Sequence, residues 1–335
     1  MKPWWKPAIA RFACLFLALT GIPGARAQDP DKSYDRIQDV IYGRKHGTAL
    51  TLDVFRPKEN ANGIGLILVV SGGWYSAHEA LDGGMFQSWA LPLVKRGYTV
   101  FAVVHGSQPK FTIPEILSDM HRAVRFVRHH AKEYGVDPNR LGIYGGSAGG
   151  HLSLMQGTAG DLGDAKAKDP VDRESSRVQA VACFFPPTDF LNYGKPGENA
   201  LGVGVLSGFK APFDFHELDT SQNKLVPITD EDKRTEIGKS ISPVTHVTKD
   251  DPPMLIIHGD ADKLVPIQQA ELMVAKGKEA GVEVVLIPKP KAEHGWPDLP
   301  KDVEKFADWF DEHLGNHVKK VDAPPTKSED QIPDR

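Results

Sequence analysis

The sequence predicts an α/β fold, with a mostly parallel central sheet flanked by helices. Three observations predict it. Short apolar runs alternate with longer helical patterns, the rhythm of strands covered on both faces. A Gly-x-Ser-x-Gly turn, Gly145-Gly146-Ser147-Ala148-Gly149, joins an apolar strand end to a helix-forming run. Two later strand patterns run into turns that carry aspartate and histidine.

The first 27 residues read as a leader and not as part of the fold. Lys2, Lys6 and Arg11 precede an apolar run from Phe12 to Leu19, and Ala25-Arg26-Ala27 fits a small-x-small cleavage site. That apolar run is well short of the ~20 residues that span a bilayer. Export to the periplasm or medium is expected, with the mature chain beginning at Gln28. Losing Lys2, Lys6, Arg11 and Arg26, with no acid among them, takes the formal net charge from −4 to −8. Such a surface argues against nucleic acid and acidic membranes as partners. Cys14 leaves with the leader, so Cys183, in the apolar run Val181 to Phe185, is expected as a lone buried thiol.

Along residues 28–315, strands are predicted at Leu50 to Phe55, Gly65 to Val70, Thr99 to Val104 and Leu141 to Tyr144. Further strands are Val178 to Phe185, Met254 to His258 and Val282 to Ile287. A helix opens at Thr112-Ile113-Pro114-Glu115, where Thr and Glu stand at capping-box spacing and proline occupies the first turn. Ile116, Met120, Ala123, Val124, Val127 and Ala131 recur at helical spacing, and Gly135 supplies the stop. Pro266 to Ala280 and Lys301 to Leu314 are also read as helices. Asp119 and Arg122 to Arg128 read as an ion-paired helix face. Thr158 to Arg177 is a charged surface loop. Residues 190–247, after the sixth strand, form a cap-like insertion; its Leu206, Phe209, Phe213 and Phe215 are candidate pocket walls. Residues 316–335 are polar and expected to be disordered.

The strand–turn–helix context makes Ser147 a nucleophile on an elbow, where neighbouring glycines admit close backbone approach. Serine needs a base, and the base an orienting group, following in the order acid then histidine. Asp262, at the tip of the turn His258 to Asp262, and His294, in the loop after the last strand, meet that order. Asp260 is expected to cap local amides and His258 to bond within its loop. His151 is expected to support the site by packing. The turn Ser71-Gly72-Gly73-Trp74 follows an early strand, so amides of Gly72, Gly73 and Ala148 are candidate oxyanion donors, and Trp74 a pocket wall. No motif calls for a metal or cofactor: His-Glu-x-x-His and Gly-Lys-Ser/Thr are both missing, and His313 with His317 straddles Gly315.

These motifs resemble the α/β-hydrolase superfamily. The likeness is to its secreted esterase/lipase branch, and most to feruloyl- and acetyl-esterase-like proteins with a prolyl-oligopeptidase-type catalytic domain. Gly145 to Leu152, Asp137-Pro138-Asn139-Arg140, Pro252-Pro253, His258 to Pro266 and His294-Gly295 carry it. The family's second aspartate in His-Gly-x-x-Asp corresponds to Asp262. Its usual oxyanion loop, His-Gly-Gly-Gly-Trp, is replaced here by Val70-Ser71-Gly72-Gly73-Trp74. The resemblance implies hydrolysis of a small or carbohydrate-linked carboxylic ester through an acyl-enzyme. A serine exopeptidase and a catalytically silent binding protein on the same scaffold are the alternatives. No feature of the sequence sets the oligomeric state.

Overall fold

The computed structural model describes residues 33–315. The expected leader and polar tail lie outside them. The chain opens with β1 (Tyr34–Lys45), β2 (Thr48–Pro57) and β3 (Gly65–Val70). There follow α1 (Leu91–Lys95), β4 (Thr99–Val104), α2 (Ile113–His129), β5 (Leu141–Gly146), α3 (Ala148–Ala159) and β6 (Ala180–Phe184). Next come a small hairpin of β7 (His216–Asp219) and β8 (Lys224–Pro227), then α4 (Glu231–Ser240). The last elements are β9 (Met254–Gly259), α5 (Gln268–Ala280), β10 (Val284–Lys289) and α6 (Leu299–Phe310).

Eight strands form one sheet in the order β1-β2-β4-β3-β5-β6-β9-β10. Pairings from β4 to β10 are parallel, while β2 runs against both its neighbours. The alternation of strand side chains makes two cores. Ile67, Val69, Ile143, Val181 and Ile256 face α2, α3 and α5, whereas Leu66, Leu68, Tyr144, Ala182 and Ile257 face α1 and α6.

The capping box on α2 forms as expected, with the Thr112 amide donating to Glu115 Oε2 at 2.8 Å. Its polar face is ion-paired: Arg122 binds Asp169 and Asp172, Arg125 binds Asp161, and Lys45 reaches the buried Asp119. Cys183 is a free, fully buried thiol whose pKa burial pushes up.

Several elements differ from expectation, α1 among them. Strand β1 was not anticipated, because Asp35, Arg36, Gln38 and Asp39 hide its apolar residues. Register shifts between Ile37 and Val40 and between Ile41 and Gly43 also break the alternation that reveals a strand. The insertion holds its own hairpin and helix, and Leu206, Phe213 and Phe215 are buried anchors. Of its four candidate walls only Phe209 keeps partial exposure. The final helix begins at Leu299, earlier than Lys301, with Pro300 in its first turn.

Candidate active site

Ser147 lies where β5 turns into α3, at φ 54° and ψ −120°, a left-handed strained conformation for a side chain with a Cβ. Its amide donates to Phe184 O at 3.0 Å and its carbonyl accepts from the His151 amide at 2.9 Å, so the turn is held from both sides. The neighbouring glycines are needed for space. A Cβ on Gly145 would lie 2.7 Å from the backbone of Gly149, and one on Gly149 would lie 2.8 Å from Val69 O.

The carboxyl ends of β5, β9 and β10 bring the three expected side chains together. His294 Nε2 stands 2.9 Å from Ser147 Oγ, and His294 Nδ1 stands 2.7 Å from Asp262 Oδ2. A proton on Nδ1, donated to the carboxylate, leaves Nε2 free to accept from the hydroxyl. Asp262 is fixed by its other oxygen, Oδ1, which accepts from the amides of Leu264 and Val265, both at 2.9 Å. Burial alone would raise its pKa. Contacts from His258 and His294, the His294 charge and the Val265 amide outweigh burial and hold the carboxyl well below the usual carboxylate range. His258 Nε2 donates to Val265 O at 2.8 Å and only grazes Asp262 Oδ2 at 3.5 Å, so its main bond is within the loop as expected. Asp260 caps the Lys291 amide at 2.6 Å.

The loop bearing His294 is braced by Trp296, whose indole donates to the buried Asp302 at 2.6 Å while Lys289 pairs with the same carboxylate at 2.8 Å. Phe185, which the sequence reading did not single out, places its ring 4.4 Å from that of His294. Trp89 lies against Gly146 and packs on Phe184 at 5.1 Å. Nothing local marks these aromatics, since they sit at strand ends or in a separate helical turn.

The turn after β3 corrects two expectations. The Gly72 amide is already spent on Tyr75 O at 2.9 Å, in a small bridge that Tyr75 N returns to Gly72 O at 3.0 Å. Gly73 and Ala148 remain as candidate donors: Ala148 is the first residue of α3, where an amide has no intrahelical partner. Trp74 is no exposed wall. It is 2% exposed, packed against Phe190 and Phe213, and its indole nitrogen donates to His151 Nδ1 at 3.1 Å. His151 Nε2 in turn donates to Ile241 O at 2.7 Å, and burial lowers its pKa to about 4, so the ring is neutral.

Ser71, in place of the family's glycine, sits beside a second buried imidazole. His105 Nδ1 donates to Gly106 O at 2.8 Å, so its Nε2 accepts from Ser71 Oγ at 2.9 Å. Burial lowers His105 to about 4 as well. Ser76 ties this pair to the strand end, its hydroxyl donating to Val70 O at 2.5 Å and accepting from the His105 amide at 3.2 Å.

Among the described residues one group could approach a metal: Asp39, Asp53 and His78. Arg36 already pairs with Asp53 at 2.7 Å, and Thr51 Oγ1 engages His78 Nε2 at 2.7 Å. The cluster is therefore already engaged in an ion-pair and hydrogen-bond network, on residues that Ser147 does not touch.

Residues 52–276 match the model of the BD-FAE family. This chain belongs to the BD-FAE family. The BD-FAE chain is 28% identical over 269 residues to the probable carboxylic ester hydrolase LipM of Mycobacterium tuberculosis, covering 79% of itself and 57% of LipM. It is 26% identical over 277 residues to the acetylxylan esterase of Xylanibacter ruminicola, covering 79% of itself and 47% of that protein. It thus spans about half the length of these curated relatives. Its fold matches a truncated carbohydrate esterase from gut microbiota with a TM-score of 0.67 and 27% identity, over 86% of this chain and 100% of the other. The fold is that of an α/β-hydrolase, and among the described residues no helix is long and apolar enough to cross a membrane.

Proposed function

We propose that this BD-FAE chain is a serine hydrolase of carboxylic esters, acting on an acylated carbohydrate through an acyl-enzyme. The observation that carries the proposal is the unbroken hydrogen-bond line from Asp262 through His294 to Ser147, at 2.7 and 2.9 Å. Ser147 Oγ attacks the ester carbonyl carbon while its proton passes to His294 Nε2. The carbonyl π electrons move onto oxygen, and that oxyanion is held by the amides of Gly73 and Ala148. Collapse breaks the bond to the alcohol oxygen, which takes the proton from His294. Water, giving a proton to His294 Nε2, then attacks the acyl carbon; collapse breaks the bond to Ser147 Oγ, which recovers that proton from His294 as the acid leaves. Asp262 keeps the imidazole in the needed tautomer and stabilises its cationic form.

The carbohydrate ester class is supported by the names of two relatives, an acetylxylan esterase and a carbohydrate esterase. The test is a fluorophosphonate probe, with turnover of p-nitrophenyl acetate, acetylated xylan, methyl ferulate and aminoacyl-p-nitroanilides. The wild type should label and hydrolyse esters, and Ser147→Ala should do neither, with kcat lower by ~10⁶. Faster cleavage of the anilides would point instead to a peptidase. Full activity in Ser147→Ala would end the reading.

Export is part of the proposal. The protein recovered from the periplasm or medium should have an intact mass beginning at Gln28. Recovery in the cytosol with residues 1–27 attached would overturn it.

A further inference from the structure

We propose that Phe209 sets the acyl size, restricting the site to acetyl and similarly short acyl groups. This rests on the ester-hydrolase reading above, and it chooses between the acetyl and feruloyl esters which that reading leaves open. The alcohol oxygen must lie beside His294, which protonates it, and the carbonyl oxygen at the oxyanion turn, so the acyl substituent leaves on the flank away from His294. Phe209, from the insertion, stands at that turn. Gly73, at φ 56°, lies against the Cδ1–Cε1 edge of the Phe209 ring: a Cβ on Gly73 would stand 2.5 Å from Cε1 and 2.7 Å from Cδ1.

The wall is backed on its inner side. Behind Phe209 stands Trp74, at 6.5 Å between ring centroids, itself backed by Phe190 and Phe213 at 5.8 and 5.2 Å. All three backing rings are buried. Trp74 is tied to His151, and His151 to Ile241 O at the end of the insertion, so wall and turn form one braced unit. Close-packed interiors yield little to an added methylene. A carbonyl oxygen held at Gly73 N therefore places its carbon substituent against a fixed aromatic surface. A methyl group fits there, whereas a long chain or a cinnamoyl group has to displace the ring.

The experiment is a series of p-nitrophenyl esters from acetate to octanoate, plus methyl ferulate, with wild type, Phe209→Ala and Phe209→Leu. Active enzyme is counted by fluorophosphonate labelling of Ser147. For wild type, kcat/KM should fall at least ~10-fold between acetate and hexanoate, since one methylene can be worth that much in a closed pocket. Phe209→Ala should shrink that ratio by ~10-fold and Phe209→Leu by less. If Phe209→Ala fails to fold, the direction of the Phe209→Leu shift decides. Wild-type preference for hexanoate or ferulate, or a ratio unmoved in a labelled variant, would overturn the assignment to Phe209 alone. Absence of labelling in wild type would instead remove the hydrolase reading beneath it.

Discussion

The indole nitrogen of Trp74 donates to Nδ1 of His151 across 3.1 Å, and both rings are closed off from solvent. One residue belongs to the turn after β3 and the other to α3, so a single hydrogen bond joins the two backbone segments that flank Ser147. Trp74→Phe keeps most of the ring packing but leaves a buried acceptor unpaired. Urea denaturation should show a loss of about 1–3 kcal/mol. A change within experimental error would mean the bond makes no net contribution.

His105 and His151 are held neutral in the folded protein, each with its pKa lowered by burial to about 4. In the unfolded chain both titrate near about 6.5. Between these values the unfolded state binds the extra protons, so stability is full above that range and falls as pH drops toward 4. The slope should be about 1.4 kcal/mol per pH unit for each ring. His121, also lowered by burial, acts in the same direction, and His78, raised mainly by its bond to Asp53, acts against it. Urea midpoints from pH 8 to pH 4 measure the sum. A flat profile below pH 6.5 would contradict it.

On the proposed roles, Asp262→Asn should lower kcat by ~10⁴, because an amide donor facing Nδ1 favours the wrong imidazole tautomer. The asparagine oxygen can still accept from the amides of Leu264 and Val265, so the melting temperature should move little. Steady-state kinetics alongside thermal melting separate the two effects. Near-normal turnover would transfer the orienting role to another residue.

Gly149→Ala pushes a methyl group to 2.8 Å from Val69 O, and Val69 sits in the middle of the sheet. Overpacking of that kind should destabilise by about 1–3 kcal/mol. Gly208→Ala, where nothing stands within 4 Å, is the matched control and should stay within about 0.5 kcal/mol. Equal stabilities for the two variants would mean the elbow is roomier than its geometry states.

The convergence of Ser147, Asp262 and His294 was legible because each follows an apolar strand pattern, and parallel strands deliver their following loops to one edge. Asp260 and His258 also took the local roles that their places in the turn suggested. What the sequence concealed depends on contacts between distant segments. The commitment of the Gly72 amide arises from a bridge to Tyr75, and a Gly-Gly pair carries no sign of which amide will turn inward. Trp74 is drawn into the core by aromatics more than a hundred residues away, so its adjacency to the glycines misled. Strand β1 escaped because its charges and irregular register erase the period-two pattern.

Those irregularities have a use beyond pairing with β2. Among the described residues the outer rim of β1 pairs with no further strand, and Arg122 Nε covers part of it by donating to Tyr42 O at 2.9 Å. Two interruptions within twelve residues put its outward carbonyls and amides out of step. An extended segment finds no evenly spaced ladder along this edge, which guards it against the addition of a further strand.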